Sequence, residues 1–298
     1  MPALFEVVEL GPGVYAAVSD IAGAAVGNAA IIDTGDKTLV IDSFMTAQAA
    51  RELRTEVSRL TGRSAFMLVN THWHGDHTWG NQEFAEIPIV STARTVELMI
   101  TDTPADLTAY EAELDAHLAA LRKKLESEDA EERSMAKRRI FGVEHLKVAA
   151  PGLRITLPDI LFEDRLVIEG ERRVELLTYG GGHTDSDVFA WLPDDRIVIA
   201  GDLCWNRIHP RTQDGHPSAW ADILDRMAAL GPVKIHPGHG RPGGPEIPEI
   251  LAPYMRTVAG YVEDAAADPA TLPPPPGSEA WDTPERMRAG VAKLREVG

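Results

Sequence analysis

One short segment, Thr71-His72-Trp73-His74-Gly75-Asp76-His77, constrains this chain more than any other. It sets four imidazole or carboxylate side chains between positions 72 and 77, directly after the apolar run Phe66-Met67-Leu68-Val69, which suits a buried strand. In extended backbone, residues two apart project to the same side, so His72 and His74 can grip one ion together. A turn at Gly75 then lets Asp76 and His77 face a second position. Imidazole and carboxylate donors suit Zn²⁺, and Mn²⁺ or Fe²⁺ accept the same set.

Three further segments follow in order: Gly180-Gly181-Gly182-His183-Thr184, Ala200-Gly201-Asp202 and Pro237-Gly238-His239-Gly240. With His-x-His-x-Asp-His after a strand, they resemble the ordered motifs of the metallo-β-lactamase-fold hydrolases, over roughly residues 7–241. The resemblance implies an α/β (α+β) fold, a four-layer αβ/βα sandwich with mixed sheets packed together, helices outside, and the metals at one edge on loops after the strands. It also implies that His72, His74 and His183 hold one metal and Asp76, His77 and His239 another, with Asp202 bridging them.

Such a site leaves room for a shared water, and an open position separates catalytic from structural zinc. Metal lowers the pKa of bound water to roughly 7. The expected reaction is addition of metal-bound hydroxide to the acyl carbon of an ester, lactone, thioester or β-lactam, at a site with two Zn²⁺ per chain. Asp76 is a ligand that also helps handle the proton. His209, in Asn206-Arg207-Ile208-His209-Pro210, is a tentative second catalytic residue lining the pocket, with a surface loop histidine as its alternative.

Departures from the family pattern narrow the choice. Position 74 is His where the diiron oxygen reductases of this fold carry an acidic residue. Asp202 stands where one β-lactamase class uses cysteine, and that class's substrate-binding lysine has no counterpart. Thr78-Trp79-Gly80-Asn81 replaces the double glycine of glyoxalase-II-like thioesterases and many quorum-signal lactonases. The alternatives are a mononuclear-iron enzyme similar to persulfide dioxygenases and a catalytically silent metal-binding relative.

Apolar runs with turn signals between residues 5 and 43 predict a meander of short strands, and Thr46–Leu60 has helical spacing. Leu107, Leu114, Leu118, Leu121 and Leu125 predict a long helix, or a helical hairpin broken near Ser127–Asp129, within an insertion of about residues 101–150. A solvated insertion with one buried stripe is the plainer reading, and a cap over the site or a dimer surface the sharper one. Strands are expected at Arg165–Glu169, Arg173–Thr178, Val188–Leu192, Arg196–Ala200 and Val233–His236, and helices at Pro217–Leu230 and Pro245–Val262. These place a catalytic domain at 1–265. A proline-rich spacer and a C-terminal helix packed on the same domain occupy 266–298.

The net charge of −17 argues against a nucleic-acid partner. No run approaches the roughly 18 apolar residues of a membrane span. The N-terminus does not read as a secretory signal, and the single cysteine, Cys204, excludes an intrachain disulfide. The expectation is therefore a cytoplasmic enzyme acting on a small molecule, and a homo-oligomer is compatible with the sequence. Cys204 reads as a buried, inert thiol, and Arg207 as an ion-pairing residue that could instead fix a substrate carboxylate. His216 and His236 read as structural, and His117 and His145 as solvent-exposed. Trp73 and Trp79 either wall a pocket or pack beneath the metal loop. Asp42 and Thr184 could orient ligand histidines from behind.

Overall fold

A computed structural model describes residues 4–20, 22–103, 107–281 and 284–297. The chain divides into two compact units, residues 1–161 and 162–298.

The first unit opens on an antiparallel meander of β1 (Phe5–Gly11), β2 (Val14–Ser19), β3 (Ala29–Asp33) and β4 (Thr38–Ile41). Helix α1 (Ala47–Thr61) starts where the Thr46 side chain accepts from the Ala49 amide, and it stops at Gly62, whose φ of 67° is left-handed. Ala49, Ala50, Leu53 and Val57 form its buried stripe. The chain returns as β5 (Met67–Val69), parallel to β4, and every residue of both strands is buried. Continuous apolar runs of this kind are what a strand covered on both faces requires.

The one-turn helix α2 (Gly75–Thr78) and a 3-10 turn at Trp79–Phe84 lead to β6 (Ile89–Thr92), parallel to β5, and to α3 (Ala93–Thr101). The expected hairpin is present as α4 (Leu107–Lys124) and α5 (Ala130–Ala149), so the break falls where the sequence places it. Leu114, Leu118, Leu121 and Val143 form its own small core with Ile140 and Leu146 packed against it. His117 is exposed as expected, while His145 is half-buried, its Nδ1 2.9 Å from the Phe141 carbonyl one turn earlier. The side chain of Leu107 lies outside the described residues, as do residues 104–106 of the expected insertion. Strand β7 (Ile160–Phe162) completes a seven-stranded sheet whose spatial order follows the sequence.

In the second unit, β8 (Arg165–Ile168), β9 (Val174–Thr178), β10 (Val188–Leu192) and β11 (Ile197–Trp205) run antiparallel in succession. Helix α6 (Pro217–Ala229) crosses to β12 (Lys234–His239), parallel to β11, giving the order β12-β11-β10-β9-β8. Two strands outrun the sequence expectation. β11 continues past Ala200 to Trp205, with register shifts around Gly201, and β12 continues past His236 to His239. Asp202 and His239 therefore sit within strands and not on the loops after them.

Helix α7 (Glu246–Glu263) and helix α8 (Pro284–Val297) close the unit. Between them the proline-rich stretch is non-helical, with Leu272 and Ser278 buried. Arg295 of α8 ties back to α7 and the turn after it, donating to the Tyr261 carbonyl at 3.1 Å and to the Ala267 carbonyl at 2.6 Å. Among the described residues there are eight α-helices and twelve strands, and no helix is long and apolar enough to cross a membrane.

Candidate metal centre

In the first unit the four candidate ligands leave the end of β5 on one short loop. His72, His74 and His77 are buried, while Asp76 is half-buried. The Nε2 of His72 lies 3.1 Å from the Nδ1 of His74, and the Nε2 of His77 lies 3.6 Å from Asp76 Oδ2.

Behind this loop, Asp42 at the end of β4 does three things at once. Its Oδ1 accepts from the Thr71 amide at 2.8 Å, and its Oδ2 accepts from the Thr71 hydroxyl at 2.7 Å and from His77 Nδ1 at 2.8 Å. Asp42 is thus the residue that orients His77. Burial raises its carboxyl above the usual carboxylate range, opposed by the His77 imidazole and the Thr71 donors. An amide cluster fixes the other side. Asn70 and Asn81 exchange hydrogen bonds at 2.7 and 3.0 Å, and Ser43 donates to Asn81 at 2.8 Å.

In the second unit three separate stretches of chain each supply one candidate ligand. His183 follows β9, Asp202 lies in β11, and His239 ends β12, all three buried. Asp202 Oδ2 lies 3.2 Å from His183 Nε2 and 3.4 Å from His239 Nε2, so one carboxylate oxygen faces two imidazoles. Only glycine fits at 238, because a Cβ there would collide with Asp202 Oδ1. Asp187 gathers the loop around His183 by accepting from the Gly182 amide at 2.8 Å, the Thr184 amide at 3.1 Å and the Thr184 hydroxyl at 2.9 Å. Burial pushes the Asp187 carboxyl up to about 7, against those donors. Thr184 is tied to the His183 loop through this carboxylate.

The hydrogen bonds behind the rings decide which nitrogen each presents. His183 Nδ1 donates to the Arg211 carbonyl at 3.1 Å, and His77 Nδ1 donates to Asp42. The single Thr71 hydroxyl proton goes to Asp42, so Thr71 Oγ1 accepts from His72 Nδ1 at 3.0 Å. A neutral ring at 72, 77 or 183 therefore turns the lone pair of Nε2 toward another ligand-type atom. Where the facing atom is a carboxylate oxygen, as for His77 with Asp76 at 3.6 Å and His183 with Asp202 at 3.2 Å, lone pair facing lone pair is repulsive unless a cation or a proton lies between them. The donor set in both units fits divalent metal.

Other residues fall into place around these sets. Trp79 is buried beneath the loop, while Trp73 is half-buried with its ring 4.5 Å from that of His74. Cys204 is fully buried beside Met227, and burial followed by the Asp202 charge pushes its thiol far up, which leaves it inert. His216 is exposed and bonds Asp185 at 2.7 Å, and His236 is buried in β12. Arg207 is exposed, with a left-handed φ of 60°. His209 is fully buried, its Nδ1 2.9 Å from the Tyr254 hydroxyl. The sequence reading missed Asn70, Asn81 and Asp187. Asp187 had a local signal, since a carboxylate three residues beyond Thr184 suits a side-chain-to-backbone turn.

Residues 22–239 match the family model of the metallo-beta-lactamase superfamily. A metallo-beta-lactamase type 2 of Bacteroides fragilis is 30% identical over 120 residues, 38% of this chain and 46% of that protein. A linear primary-alkylsulfatase of Pseudomonas sp. (strain ATCC 19151) is 22% identical over 248 residues, 78% of this chain and 45% of that protein. The chain thus spans less than half the length of these two relatives. Among solved structures, a metallo-beta-lactamase from Pontibacter korlensis superposes with a TM-score of 0.60 at 19% identity, covering 85% of this chain and 99% of that one. One from Hirschia baltica gives 0.57 at 18% identity, covering 84% and 97%. By the matched span and the shared fold, the chain belongs to the metallo-beta-lactamase superfamily.

Proposed function

We propose that the chain is a dinuclear zinc hydrolase that cleaves an acyl bond of the ester, lactone, thioester or β-lactam type. The observation that carries the reading is Asp202 Oδ2 facing the Nε2 atoms of both His183 and His239. A carboxylate oxygen set between two imidazole nitrogens suits a ligand shared by two ions. On this reading His72, His74 and His183 hold one ion, Asp76, His77 and His239 hold the other, and Asp202 is common to both. The family span, residues 22–239, contains all seven.

Bound divalent ions supply an acidified water and a Lewis acid for the substrate carbonyl. The chain's own residues do the rest. Asp42, Thr71 and the Arg211 carbonyl hold three rings in the tautomer that presents Nε2. On this reading Asp76, more exposed than the other candidate ligands, would pass a proton to the departing group. Zinc is preferred for this set of nitrogen and carboxylate donors, with manganese or iron(II) as substitutes.

Metal content of protein purified without added metal, beside His74→Ala and Asp202→Ala, tests this directly. Two zinc per chain, falling in both variants, is the expected result. A single iron indifferent to Asp202→Ala would overturn it and direct attention to oxygen uptake with sulfur substrates. A second reading, hydrolysis of an alkyl sulfate ester, is favoured by the alkylsulfatase relative, whose match covers 78% of this chain. Release of inorganic sulfate from a primary alkyl sulfate, with no turnover of acyl substrates, would select it.

A further inference from the structure

The family match ends at residue 239, and helices α7 and α8 lie beyond it. Within the second unit this later segment packs against the two places from which ligand histidines are supported.

The first is the loop after β11. His209 is fully buried there, its Nδ1 bonded to the Tyr254 hydroxyl of α7 at 2.9 Å. Trp281 stacks on Tyr254 with centroids 5.4 Å apart and planes 11° from parallel, and its ring lies 5.7 Å from that of His209. Gly290 of α8 sits so close to Thr212 that a Cβ would collide with its hydroxyl. Between His209 and Thr212 lies Arg211, whose carbonyl accepts from His183 Nδ1. Residues on both sides of that carbonyl are therefore gripped by the C-terminal segment.

The second place is Trp205, which stacks on His239 with centroids 4.0 Å apart and planes 28° from parallel, and donates through Nε1 to the Asp202 carbonyl at 3.0 Å. Arg286 of α8 lies over the Trp205 ring, its guanidinium carbon 5.5 Å from the ring centroid. Two independent lines of contact thus run from the same C-terminal segment, one to His183 and one to His239.

We propose that residues 254–290 position the metal ligands of the second unit, through Tyr254 and Trp281 on His209 and the Arg211 carbonyl, and through Arg286 on Trp205 and His239. This rests on the reading of His183 and His239 as ligands. His209 is then a positioning residue and not one that meets substrate. Outer partners of this kind hold ring orientation, and their loss lowers metal affinity by about 10–100-fold when they touch the ligand itself. Acting one step further back, Tyr254→Phe and Arg286→Gln should each weaken zinc binding by about 10-fold, at the lower end of that range.

Zinc affinity by chelator competition and the visible spectrum of the Co²⁺-loaded chain would be measured for the parent, Tyr254→Phe, Arg286→Gln and Leu118→Ala. Leu118 belongs to the hairpin core of the first unit and serves as a control for lost stability alone. Weaker zinc and altered cobalt bands in the first two variants, with both unchanged in Leu118→Ala, is the expected result. Recovery of both readouts in Arg286→Lys would confirm that the cation over Trp205 is what matters. A parent that binds zinc with the same affinity and cobalt spectrum as Tyr254→Phe and Arg286→Gln overturns the positioning role alone. A parent that binds no metal overturns the hydrolase reading together with it.

Discussion

The two units present their candidate ligands in opposite ways. In the first, His72, His74, Asp76 and His77 share one short segment, and Asp42, Ser43, Asn70, Thr71 and Asn81, which restrain it, lie close by at the ends of β4 and β5 or in the following turn. In the second, His183, Asp202 and His239 come from three separate stretches of chain, and their restraints include the Arg211 carbonyl, Asp187 and Trp205. A short loop orders all its ligands once its own backbone is fixed. Ligands far apart in sequence each need a support of their own, so the second unit requires more chain around them.

That contrast can be broken most forcefully at Asp42. Asp42→Ala leaves His77 Nδ1, the Thr71 amide and the Thr71 hydroxyl without their shared acceptor in a buried site. Stability should fall by about 3 kcal/mol or more, and zinc affinity by about 10–100-fold, read by urea unfolding and chelator competition. Unchanged zinc affinity would mean that the loop orders itself and that the two units do not differ as described.

A smaller effect sharpens the second unit. With its carboxyl pushed up to about 7, Asp187 holds a proton in the folded chain that the unfolded chain releases near its ordinary value of 3.8. The native state therefore binds more protons across that window. The stability contributed is fully present below about pH 4 and is lost as pH rises through about 7. Thermal unfolding from pH 4 to 8 should show this slope in the parent and a flatter one in Asp187→Asn. Equal slopes would remove Asp187 as the proton-binding anchor of the His183 loop. The smallest effect is expected at Cys204, where Cys204→Ala should leave metal content unchanged and cost about 1 kcal/mol of packing. Loss of zinc in that variant would make the thiol a participant.

Legibility in the sequence followed the same divide. The first histidine cluster could be read from residue type and spacing, since strand, turn and ligands are contiguous. His183, Asp202 and His239 are isolated in sequence and were recognisable only through resemblance to family motifs. Asp42 was legible as a supporting carboxylate but not as the partner of His77 Nδ1, because its contact spans 35 residues. Tyr254, Trp281 and Arg286 carried no local signal, since only the packing of α7 and α8 brings them to the β11 loop and Trp205. The hairpin of α4 and α5 was clear from leucine spacing. β6 and α3 were missed although Thr92 caps α3 by accepting from the Thr95 amide, a signal at a short, unperiodic boundary. The extents of β11 and β12 were hidden by Gly201 and Pro237, residues that ordinarily end strands.

β12 lies at the margin of the five-stranded sheet, with β11 on one side and a single antiparallel bridge, Ile235 to Gly243, on the other. Marginal strands are where a sheet frays first, and His239 is the terminal residue of this one. On the proposed assignment of His239 as a ligand, an ion would bind only with that strand closed, and occupancy and fraying would be linked by mass action. The amide hydrogens of Lys234, Ile235, His236, Gly238 and His239 should accordingly exchange with solvent faster in the metal-stripped chain, and the proposed ligand would then also be the clasp of the sheet that carries it.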